Sequence, residues 1–264
     1  RSAGAQAGCT PVLLMKKLRF TSRSSNLLWL CIVLGVSGSV GCADASAANA
    51  PHRGWWQDAV FYELFVRSFA DAATGPLAGD GIGDLQGAID HLDYLNDGRG
   101  LSGSSLGINA VWLMPINPSP SYHGYDVTDY FAVNPDFGDI ALMKRFVQEA
   151  HRRGIRVIID LVLNHCSAQH PMFKEAAAAA PGSPVRRLFR FADLPEQLVG
   201  PWDQRAWHPL NGGFYYGVFS AEMPDWNLNK PAVTEHHRRA AAFWLKDVGI
   251  DGFRLDAVRY LVEV

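Results

Sequence analysis

The stretch Ile155 to Ile159 constrains this chain more than any other: it is apolar except for Arg156, and DLVLNH follows it at Asp160 to His165. Such a run suits a strand buried on both faces, the kind found in parallel sheets covered by helices. The rest of the sequence alternates in the same sense. Trp55 to Phe69 predicts a first strand through Val60, Phe61, Leu64, Phe65 and Val66. Asp84 to Asn96 predicts a helix with Leu85, Ile89, Leu92 and Leu95 on one stripe. Ile108 to Met114 is a second strand, and a helix runs from an Asp139 cap to Arg153, with Gly154 after its end. Ile155 to Val162 is the third strand, Pro231 opens a helix that reaches Val248 and stops at Gly249, and Asp251 to Leu255 is the fourth strand. The class is α/β.

One long segment breaks the alternation. Residues 166–230 carry Trp202, Trp207, Phe214, Tyr215 and Tyr216 and the turn signal Asn211-Gly212-Gly213. A connection of this length is a functional loop or a small domain. The chain therefore divides into 1–50, 51–165, an insertion at 166–230, and 231–264.

The polar residues collect at strand ends. In GFRLDAVRY, Gly252 to Tyr260, Arg254 and Asp256 are two apart and share one side of a strand, while Phe253 and Leu255 point the other way. A guanidinium at that distance is expected to keep the carboxylate ionised, lowering its pKa by about 1 to 3 units. A buried Arg–Asp tie between strands explains this segment equally well. Three further segments break the tie: GYDVTDY at Gly124 to Tyr130, DLVLNH, and MPDWN at Met223 to Asn227.

These four segments, in this order, resemble the alpha-amylase family of glycoside hydrolases, and the resemblance extends from about Trp55 onward. It implies a (β/α)8 TIM barrel, incomplete at four strands, with an inserted small domain after the third strand. By position, Asp256 matches the catalytic nucleophile and Arg254 its supporting arginine. Tyr125 and His165 match residues that hold the sugar ring, and His123 and Arg259 are further substrate-binding candidates. Asn164 and Asp225 match ligands of a calcium ion that pins the insertion to the barrel. A second cation site is expected at Asp80, Ile82 and Asp84, where carboxylates alternate in a Gly-rich loop. The competing assignment makes Asp84 a helix cap.

The implied reaction is retaining hydrolysis of α-1,4-glucosidic bonds in an α-glucan or maltooligosaccharide, by a monomer. The family's acid/base glutamate follows a fifth strand, and Glu263 lies too close to Asp256 to replace it. The sequence is thus expected to be the N-terminal part of a longer enzyme, inactive alone. A transglycosylase, a trehalose synthase-like isomerase and a non-catalytic carbohydrate-binding member are the alternatives.

The front of the chain reads as an export signal. Lys16, Lys17, Arg19 and Arg23 follow Met15 and precede the apolar stretch Leu27 to Val40. Cleavage is expected at Ala45-Ser46-Ala47, or before Cys42 with lipid attachment, the one membrane link this sequence suggests. With residues 1–42 set aside, 19 basic residues face 26 acidic ones, which disfavours nucleic-acid binding. Eight Trp and eight Tyr supply faces suited to sugars. Cys166 reads as a small side chain at the strand exit rather than a nucleophile, and His236 and His237 as residues facing solvent or the sheet.

Overall fold

The computed structural model describes residues 54–100, 103–194, 199–210 and 213–261. The export signal and Cys42 lie outside the described residues, as do Asn211 and Gly212. No helix among the described residues is long and apolar enough to cross a membrane.

Four strands form one parallel sheet: β1 (Phe61–Leu64), β2 (Ala110–Leu113), β3 (Arg156–Leu161) and, after three more in the insertion, β7 (Gly252–Leu255). Their spatial order is β1-β2-β3-β7. All four fall inside the stretches predicted for them, trimmed where the chain turns to meet the next element. Val111 pairs with Val157, Ile159 with Phe253 and Asp160 with Arg254. That last pair places an acid opposite a base at the C-terminal ends of adjacent strands.

Helices cover the sheet as its apolar faces require. The stretch expected as one helix over 84–96 is two, α2 (Leu85–Asp90) and α3 (Leu92–Leu95), after the four-residue α1 (Val66–Phe69). His91 departs from helical angles between them, with φ −110° and ψ 10°. The apolar stripe survives the break, because Leu85, Ala88, Leu92 and Leu95 are all buried. α4 (Ile140–Arg152) has the predicted cap: the Asp139 carboxylate accepts the Leu142 N–H at 2.7 Å. It buries Met143, Phe146, Val147 and Ala150 against the core.

The helix from Pro231 also changes character. α6 (Pro231–Ala242) continues as a π-helical turn over Phe243–Val248, where Trp244 is buried and donates its indole N–H to the Tyr130 carbonyl at 2.8 Å. Gly249 ends it with φ +91°, a left-handed conformation that costs glycine little.

The insertion holds α5 (Pro171–Ala178) and an antiparallel sheet of β4 (Phe191–Ala192), β5 (Trp207–Leu210) and β6 (Gly213–Tyr216), in the order β4-β6-β5. Leu210 pairs with Gly213 at the end of the β5–β6 ladder. Its small core of Ala206, Tyr216 and Val218 is separate. Its larger aromatics, Phe173, Phe189, Tyr215 and Trp226, belong to the same apolar core as the parallel sheet.

Candidate active site

Asp160 and Arg254 face each other in register, and Asp256 follows β7, its amide bonded to the Leu161 carbonyl at 3.2 Å. One guanidinium nitrogen, Nη1 of Arg254, donates to Asp160 Oδ1 at 2.7 Å and to Asp256 Oδ1 at 2.6 Å. Asp160 Oδ2 accepts from Trp112 Nε1 at 3.0 Å and from the Tyr125 hydroxyl at 3.3 Å. The guanidinium also lies 5.0 Å from the Trp112 ring centre. Asp256 is followed by Ala257 in the left-handed region, φ +51°, a position that strains any residue with a Cβ.

Burial dominates the electrostatics of this cluster. It pushes the Asp160 carboxyl up to about 6 against the pull of Arg254. It also raises Asp256, with Arg254 again opposing. This corrects the expectation that the arginine lowers the nucleophile's pKa: desolvation of the carboxylate outweighs the ion pair. Arg254 itself is disfavoured by burial, yet the two carboxylates hold its pKa above the ordinary value. Burial and the neighbouring Asp160 raise the Tyr125 phenol as well.

Tyr125 reaches the cluster from a tight turn. Gly124 has φ +80°, and a Cβ there would come within 3.0 Å of Pro115. The next residue, Asp126, is buried and accepts the Ser119 and Ser121 hydroxyls, which fixes the loop. His123 accepts the Tyr125 N–H on Nδ1 at 3.1 Å and stacks on its ring at 6.0 Å.

His165 is buried edge-on against Phe219, the ring centres 5.1 Å apart. Neither of its ring nitrogens makes a well-formed hydrogen bond among the described residues, although the Tyr125 backbone lies close enough to favour the charged ring. Burial pushes the ring down to about 3, so it stands neutral. Phe219 also contacts Tyr260 and the exposed Trp202. Arg259 is exposed and lies over Tyr260.

Asn164 and Asp225 meet where expected. The amide donates to Asp225 Oδ2 at 2.9 Å, and Asp225 Oδ1 accepts the Val218 N–H at 3.1 Å. Asn227, Asn229 and Arg190 line the same polar pocket. Of the three residues expected to form a second cation site, both carboxylates accept backbone amides. Asp84 is buried and its two oxygens accept the Gly87 and Ala72 amides, at 2.8 and 3.1 Å, as the cap of α2. Asp80 accepts the Ile82 N–H at 2.7 Å in its own turn. Among the described residues, no three His, Cys, Asp or Glu side chains group closely enough to hold a metal. The cap explains Asp84, because an acid ahead of a helix satisfies N–H groups that nothing else reaches.

Sequence reasoning missed Asp160 and Trp112 as parts of the site. The signal for Asp160 was present: an acid ending a buried apolar run needs a cation, and Arg254 is its counterpart on the next strand.

A four-stranded parallel sheet with paired charges at the C-terminal ends of its strands is consistent with part of a (β/α)8 barrel and with where such barrels carry their sites. Residues 63–264 match the family described as "Alpha amylase, catalytic domain". This chain belongs to the alpha-amylase family of glycoside hydrolases. It is 42% identical over 210 residues to Alpha-amylase 3 of Dictyoglomus thermophilum, covering 79% of this chain and 38% of that protein. It is 41% identical over 218 residues to a trehalose synthase/amylase of Mycobacterium tuberculosis, covering 79% and 34%. The solved alpha-amylase from H. orenii superimposes with a TM-score of 0.71 at 46% identity, over 78% of this chain and 41% of that one. Other relatives are named trehalose-6-phosphate hydrolase and oligo-1,6-glucosidase. The chain thus spans well under half the length of the relatives it matches.

Proposed function

We propose that the enzyme containing these residues hydrolyses α-1,4-glucosidic bonds of starch-like glucans or maltooligosaccharides with retention of configuration, and that Asp256 is the nucleophile. The observation that carries this reading is the shared guanidinium. Arg254 Nη1 holds two carboxylates, and they differ in access: the Asp160 side chain is 0% exposed and Asp256 16%. Asp160 cannot serve as the proton donor despite its raised pKa, because three donors occupy its oxygens and none of its surface meets solvent. It is a positioning residue that aims Arg254 and Tyr125. Asp256 attacks the anomeric carbon, and the leaving oxygen takes its proton from a second carboxyl, which a retaining enzyme sets about 5 to 5.5 Å away. That role falls to a residue beyond those assigned above.

The sugar-holding roles of Tyr125 and His165 follow the same logic. Two buried ring nitrogens that make no well-formed hydrogen bond are costly unless a ligand supplies hydroxyl groups, and a neutral His165 both donates and accepts. His123 and Arg259 flank this position as further contacts. Hydrolysis is favoured over transfer or isomerisation by the 46% identity to a solved alpha-amylase against 34% to a solved trehalulose synthase.

Trapping with a fluorinated glycosyl substrate on the full-length enzyme tests the assignment. The adduct is expected on Asp256, and Asp256→Asn is expected to lose about 10^4-fold or more in kcat. An adduct on another side chain overturns it.

Calcium at Asn164 and Asp225 is part of the proposal. A carboxylate and a carboxamide give oxygen ligands of the kind a hard cation takes. The ion would tie the end of β3 to the insertion, a cross-link rather than a reagent. Excess chelator is expected to lower the Tm of the full-length enzyme, and an unchanged Tm counts against the site. Export, with lipid attachment at Cys42 as the variant form, completes the proposal and rests on the sequence of residues 15–47.

A further inference from the structure

Beneath the loop that carries Asn164 and His165 lies a second buried polar cluster, which the proposed reaction does not use. Tyr130 is its centre. The Tyr130 ring lies 5.4 Å from His236, 5.5 Å from His237 and 5.9 Å from His170. Trp226 contacts the same three histidines at 5.6, 5.6 and 5.3 Å. The sequence assigned His236 and His237 to solvent or the sheet, but α6 turns both into this cluster, where they are buried. His170 comes from the start of α5, where its Nδ1 accepts the Met172 N–H.

The cluster fixes the exit of β3. The Tyr130 hydroxyl lies within hydrogen-bond distance of the Val162 and His165 carbonyls, at 2.9 and 2.8 Å, and accepts the Trp226 indole N–H at 3.2 Å. Whatever displaces Tyr130 therefore displaces the backbone of the loop above it.

We propose that His170, His236 and His237 form an acid-sensitive latch: neutral, they pack around Tyr130 and hold the 162–166 loop, and protonated, they open the cluster and release it. His236 Nε2 and both ring nitrogens of His237 have no hydrogen-bond partner among the described residues. Protonation would add charge and N–H donors inside a buried cluster of rings, where the Leu163 backbone beside His237 offsets only part of the cost of burial.

The groups facing the three rings come from every packed element. Asp129 favours the charged forms of His170 and His236, whereas Arg239 opposes that of His236. His236 opposes the charging of His170 and His237, and His170 also opposes that of His237, while the Leu163 backbone favours it slightly. Tyr130 and Trp226 are uncharged. Burial exceeds all of these, holding His170 down to about 4, His237 down to about 3, and His236 below its ordinary value. The folded pKa values lie below the unfolded value near 6.5. The stability contributed is therefore complete above that pH and is lost as pH falls from there toward 4 and 3.

Hydrogen exchange on the full-length enzyme, corrected for intrinsic rates, tests the latch. The reporters are the Trp226 amide, bonded to the Asn164 carbonyl, and the Cys166 amide, bonded to the Pro224 carbonyl. Each histidine that charges on opening adds about tenfold per pH unit to the opening equilibrium. The wild type is expected to approach at least about a hundredfold per unit as pH falls from 6.5 toward 5, from His170 and His237 together, and H236Q/H237Q to stay near about tenfold. Equal slopes in the two proteins overturn the latch. A second measurement stands even if the variant fails to fold: NMR titration of the wild-type rings. His237 neutral at pH 5 supports the proposal, and titration of all three near 6.5 overturns it. Neither readout depends on substrate, so the latch and the assigned reaction fail separately.

Discussion

Two buried polar clusters sit a few residues apart on the same strand exit, and they answer burial in opposite ways. At the end of β7, Asp160, Asp256 and Arg254 keep their charges by sharing one guanidinium nitrogen. Around Tyr130, three histidines give up theirs. The driving force is the same in both, since desolvation pushes the carboxyls up and the imidazoles down. A fixed counter-charge makes the difference. Arg254 is locked between two strands and Trp112, whereas Asp129, the carboxylate facing the histidines, is exposed.

Removing the counter-charge breaks the contrast most directly. Arg254→Leu is expected to cost about 3 to 5 kcal/mol at pH 7, measured by denaturant unfolding, because it strands two carboxylates. The loss shrinks toward pH 4 as they protonate, and a pH-independent loss would show that packing of the arginine, not charge, holds the cluster.

Asp160→Asn is the next largest. The folded Asp160 pKa of about 6 lies above the unfolded value, so its stabilising contribution is complete below about pH 4 and is lost as pH rises through 6. Relative to wild type, the Asn variant is therefore expected to gain on the order of 3 kcal/mol between pH 4 and pH 7. A flat difference across that range refutes the burial argument for this carboxyl.

Asp129→Asn gives the smallest effect and sharpens the comparison. Stability at pH 7 is expected to move by no more than about 0.5 kcal/mol, while the NMR titration points of His170 and His236 move further down. An upward shift would mean that Asp129 acts by something other than its charge.

The sequence carried the alternation of elements because buried parallel strands advertise themselves, and the stretch Ile155 to Val162 did so within a residue of β3 at each end. It also carried the capping role of Asp139, a local matter of three residues. It could not carry the pKa of Asp256, since Arg254 is visible two residues away but the depth of burial depends on β2, β3 and the Tyr125 turn. The fate of Asp84 was a choice between two local chemistries, decided by the distant Ala72 amide. His236 and His237 were misplaced for a related reason: next to Arg238 and Arg239 they read as surface, and the Tyr130 and Trp226 rings that accept them arrive from far along the chain. Asp160 was hidden in plain view, as the last acid of a strand.

The insertion's aromatics, Phe173, Phe189, Tyr215 and Trp226, are continuous with the packing of the parallel sheet. Anyone building chimeras by exchanging this segment between family members will find that its ends are poor cut points. The donor piece must arrive with a host surface already shaped for those rings, so transplanted specificity has to travel together with part of the recipient's interior.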